Sequence, residues 1–119
     1  MVEVVRMKRL QRFLGREVDL DLIKGDKTLL TSLSIEERYV PEELEIFDEL
    51  EFGLGSFGSK TVVLMMVLED SKLQRISLGW VPEGGDEDDF AAFSESELSA
   101  VMDEVGPRIV SLFEKILGQ

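Results

Sequence analysis

Between Thr61 and Leu68 the sequence reads Val62-Val63-Leu64-Met65-Met66-Val67, a run that is apolar at odd and even positions alike. Side chains alternate between the two faces of a strand, so this run predicts a central strand covered on both sides, the spine of a sheet. Its neighbours can be sought in the same terms. From Leu73 to Val81, Ile76, Leu78 and Trp80 alternate with Arg75, Ser77 and Gly79; Glu69 to Lys72 makes the turn, and Trp80 is expected to anchor the core. Earlier in the chain Val18, Leu20 and Leu22 alternate with Asp19 and Asp21, and Gly25-Asp26 separates them from Leu29, Leu33 and Ile35. That pattern predicts a hairpin with a two-residue turn. Residues 41–52 carry two signals, a strand in Leu44, Ile46, Leu50 and Phe52 and a helix start in Pro41 followed by glutamates. We read them as strand.

Helices bracket these strands. Met7, Leu10, Phe13 and Leu14 fall at helical spacing within Val2–Leu14, and Gly15 offers a C-terminal stop. Near the other end Ser94 and Glu97 form a capping box, with Phe93 placed to staple onto Leu98. The stripe Leu98, Val101, Met102, Val105, Ile109, Leu112, Phe113 and Ile116 then runs past Gly106-Pro107, where a kink or brief break is expected. At 119 residues, without a linker or repeat, the chain reads as a single α+β domain spanning residues 1–119. We expect a mainly antiparallel sheet of four to five strands, an N-terminal helix and a long, Pro-kinked C-terminal helix.

Composition narrows the chemistry. Cysteine and histidine are both absent, which removes disulfides, thiol nucleophiles, imidazole bases and the usual zinc, haem and iron–sulfur ligands. The chain is therefore read as a non-enzyme, and no cofactor or metal is expected. The basic start is not followed by a hydrophobic signal core, and no stretch is apolar enough to span a bilayer, so the expected location is the cytoplasm. The net charge is −12, and residues 1–27, with seven basic and five acidic side chains, leave −14 to the remainder. Such a field repels nucleic acid and anionic membranes and attracts basic protein surfaces.

Three places could bind something. The densest carboxylate stretch surrounds an aromatic side chain: if residues 41–52 form a strand, Glu43, Glu45, Glu49 and Glu51 share one face with Phe47, a plausible contact for a basic amphipathic partner. The loop with Asp86, Asp88 and Asp89 adds more acid, although its spacing fails as an EF-hand because Phe90 and Ala91 occupy the fifth and sixth positions. Gly53-Leu54-Gly55-Ser56-Phe57-Gly58 fits the G-x-G-x-x-G pattern and resembles the glycine-rich phosphate loop of protein kinases, but the following strand lacks the lysine such a loop needs. A phosphate-bearing ligand there would meet backbone amides near Gly53, Gly55 and Gly58, together with Lys60. The leading expectation is a non-catalytic protein-interaction subunit, an assembly chaperone, adaptor or immunity-type inhibitor, binding a basic or amphipathic protein. A small-ligand or nucleotide-binding module at Gly53–Lys60 is the alternative, and the C-terminal stripe leaves a homodimer seam open.

Overall fold

The computed structural model describes residues 10–25, 27–85 and 87–117. Five strands, β1 (Glu36–Tyr39), β2 (Phe47–Phe57), β3 (Lys60–Glu69), β4 (Lys72–Pro82) and β5 (Ala91–Ala92), form an antiparallel sheet in which each strand lies beside its neighbour in sequence. The apolar run is the central strand, as its two-sided pattern predicts. Val62, Leu64, Met66 and Leu68 point into the main core, while Val63 is buried on the other face beside the half-buried Met65 and Val67. Among the described residues, that second face is covered near Gly53 and Gly79. The Arg38 stem lies against Gly53 and its guanidinium donates to the Gly85 carbonyl at 3.2 Å, while the Phe90 ring occupies the space a side chain at Gly79 would need.

Turn chemistry sets the register. Gly58, with φ 64°, is the first of two residues joining the paired Phe57 and Lys60, and Asp70 and Ser71, at φ 51° and 68°, join Glu69 to Lys72. Positive φ at these positions matches the twist of the flanking strands. Between Gly53 and Ser56 the β2–β3 register slips through a bulge, with Gly55 at φ 99°. The glycine-rich motif is thus a bulged strand and a tight hairpin.

Two short helices, α1 (Leu20–Gly25) and α2 (Lys27–Ser32), stand where the sequence predicted a hairpin. Asp19 explains the first: its carboxylate accepts the Asp21 amide at 3.0 Å, a capping bond that favours helix over strand. The alternation was misleading because Leu22 is 43% exposed, whereas Leu20 and Ile23, three apart, pack on the core. The strand predicted over 41–52 begins at Phe47 and runs on to Phe57, and residues 41–46 lead into it as a loop. Most of the expected N-terminal helix lies outside the described residues. Its described end turns at residues 12–15 and stops at Gly15, at φ 83°, whose amide donates to the Leu73 carbonyl.

The long helix α3 (Glu95–Ile116) lays its apolar stripe on the sheet, and Phe113 meets Phe13 edge to face at 5.2 Å. Ser94 caps it, accepting the Glu97 amide and donating its hydroxyl to the Glu97 carboxylate. No break opens at Gly106-Pro107: the helix is continuous, and the burial of Val105, Gly106 and Ile109 on either side of the proline holds it to the sheet. Directly after the proline, Arg108 donates to the carbonyls of Leu33, Ser34 and Leu54, so a single guanidinium ties α3 to the end of α2 and to the bulge of β2. Among the described residues no helix is long and apolar enough to cross a membrane.

Candidate functional site

At the end of the sheet where β2 begins, an open groove of about 730 Å³ is lined by Tyr39, Pro41, Glu42, Glu43, Glu45, Phe47, Asp48, Glu49 and Glu51. Three local structures build it. Lys24 on α1 donates to the Glu42 carbonyl at 2.9 Å and stands 3.6 Å from its carboxylate, and Leu44 packs on the core, so the loop is fastened to the helical side. Asp48 accepts the Glu45 amide at 2.6 Å and turns the chain into β2. Antiparallel pairing then sets Tyr39 of β1 opposite Glu51.

Phe47 is 70% exposed, the most exposed large hydrophobic side chain described, ahead of Ile46 at 63% and Tyr39 at 51%. Glu51 is only 4% exposed, facing the half-buried Met65 across the ladder. Six carboxylates line the groove, and Lys24 stands beside one of them, Glu42. Rings beside carboxylates suit a lysine or arginine, whose charge meets the acids while its stem or guanidinium lies on the ring.

The predicted acidic-aromatic set is gathered in one groove, though differently from the single strand face expected. Phe47, Glu49 and Glu51 share a face of β2, whereas Glu43 and Glu45 reach the groove from the loop. Asp88 and Asp89 lie in a single 3₁₀ turn (Glu87–Asp89) after β4, at the opposite end of the sheet, and Asp86 is outside the described residues. Sequence reasoning missed Tyr39. Its place depends on pairing with a residue twelve positions away, and being the sole tyrosine was the one available hint.

The glycine-motif residues are divided. Gly53 and Gly55 border a separate recess of about 500 Å³ with Ile23, Leu30 and Ile35, and neither Gly58 nor Lys60 lines it. Lys60 is already engaged: its ammonium lies 2.7 Å from the Glu97 carboxylate and 4.6 Å from the centre of the Trp80 ring. That hydrogen bond, with those from Ser94, holds the Glu97 carboxyl below its ordinary value of 4.5. Trp80 is half-buried at the margin of the core rather than at its centre, and its indole N–H donates to the Ala92 carbonyl. Among the described residues no three carboxylates converge as a metal site. No protein-family model matches the chain, and neither curated proteins nor solved structures show a match to it, so its site is read from its own residues.

Proposed function

We propose that the chain is a non-catalytic protein-interaction subunit of the cytoplasm, an assembly chaperone, adaptor or immunity-type inhibitor, which holds a basic or amphipathic protein in the groove at the start of β2. One observation carries this reading: the most exposed aromatic side chain, Phe47, stands with Tyr39 among six carboxylates. Aromatic side chains at the centre of an interface supply affinity, and surrounding charge supplies steering and selection. Covering the Phe47 ring would contribute roughly 2 kcal/mol. The −14 carried beyond residue 27 acts in the same direction at longer range, drawing in cationic surfaces and repelling phosphate backbones. The reading requires no cofactor.

The test is a paired capture from host lysate, using the tagged chain and a Glu43→Lys/Glu45→Lys/Glu49→Lys variant at low and high salt. A stoichiometric protein partner is expected on the unaltered chain at low salt, released by high salt and missing from the variant. A partner that binds both chains equally, or a blank on the unaltered chain, overturns the reading.

A further inference from the structure

Side chains along a strand alternate between faces, so a groove over one face of β2 would touch every second residue. This groove touches Phe47, Asp48 and Glu49 in succession, so it follows the edge of the strand, where the backbone lies. That edge is open. β3 pairs with β2 as far as Phe47, but β1 stops at the Tyr39–Glu51 pair. Among the described residues, the backbone of Phe47–Leu50 has ladder partners on β3 alone, and the preceding loop makes no backbone hydrogen bond to it.

We propose that a basic, extended segment of a partner protein binds here by strand addition, continuing the line of β1 and pairing with β2 at Phe47–Leu50. This rests on the groove being the site for a basic partner and specifies how that partner's backbone sits. Unpaired strand edges accept main-chain hydrogen bonds from any extended chain, and the side chains beside them choose which. Here the choice is by charge. Phe47 and the Tyr39–Glu51 pair stand four strand residues apart, ~13 Å at the usual rise, so a segment of four or five residues fits between them. Lysine or arginine at alternate positions would lie beside Glu49 and against the Phe47 ring. A second copy of this chain is disfavoured at the same edge, because its own carboxylates would face these.

The experiment is a fluorescence-anisotropy titration with a synthetic peptide of alternating lysine and valine, together with two versions N-methylated at alternate amides. One version blocks the amides facing β2, and the other blocks those facing away. Strand addition predicts that one methylated peptide binds roughly tenfold more weakly than the parent while the other is unchanged. If both bind as tightly as the parent, strand addition fails and the basic-partner reading stands. If the unmethylated peptide does not bind at low salt, both fail. A free chain that sediments as a dimer, and loses the dimer on Phe47→Ala, also overturns the proposal, since a second copy then fills the edge.

Discussion

Where β3 begins, Lys60 has Glu97 at 2.7 Å and the Trp80 ring beneath it, Phe57 meets Phe93 edge to face at 6.0 Å, and Ser94 finishes the arrangement by capping α3. Where β3 ends, Phe47 and Tyr39 are turned to solvent among six carboxylates, with Lys24 beside Glu42. Aromatic and charged groups are present at both ends. At one end the charges are matched and a helix follows beside the rings; at the other, among the described residues, acids outnumber the single lysine and the rings are exposed. The first is a finished piece of tertiary structure, and the second is the surface we propose for a partner.

The sharpest way to break this comparison is to truncate one ring at each end. Phe93→Ala should lower the unfolding free energy by about 3 kcal/mol, since the ring is buried between Phe57 and the core. Phe47→Ala should change it by less than about 0.5 kcal/mol. Chemical denaturation of both variants reads the difference, and equal losses would mean that the groove end is also part of the core. Next in size, Ser94→Ala removes the cap of α3 and should cost about 1 kcal/mol by the same measurement.

The smallest effect is a pH dependence. Glu97 titrates below 4.5 in the folded chain and near 4.5 once unfolded, so the folded state binds fewer protons between the two values. The stabilisation from the Lys60–Glu97 pair is therefore complete above 4.5 and drains away as pH falls through the folded value. Thermal unfolding followed into acid should show Glu97→Gln losing less stability than the unaltered chain over that range. Because the pair is at the surface, the difference should be slight and should shrink with added salt.

What could be read in advance follows from how local each signal is. β3, β4 and the start of α3 are encoded within a few residues, by a two-faced apolar run, an alternating strand and a capping box, and they stand where expected. The region of α1 and α2 was misread because helices of six residues offer under two turns of periodicity, and Val18, Leu20 and Leu22 satisfy a strand equally well. β2 was misread at its far end because the glycines that bend it through a bulge carry the same letters as a loop. In the groove, Phe47 and its acids are neighbours in sequence and were legible together. Tyr39 joins them through strand pairing, which no local pattern announces.

Arg108 gives the domain an order of assembly. Its three acceptors, Leu33, Ser34 and Leu54, are made more than fifty residues earlier in the chain, and their donor sits in α3, the last of the described elements. As the protein emerges from the ribosome, the end of α2 and the bulge of β2 must wait for α3 before these bonds can close. The N-terminal half therefore cannot reach its final form alone, and the domain should be completed only when its C-terminal helix docks.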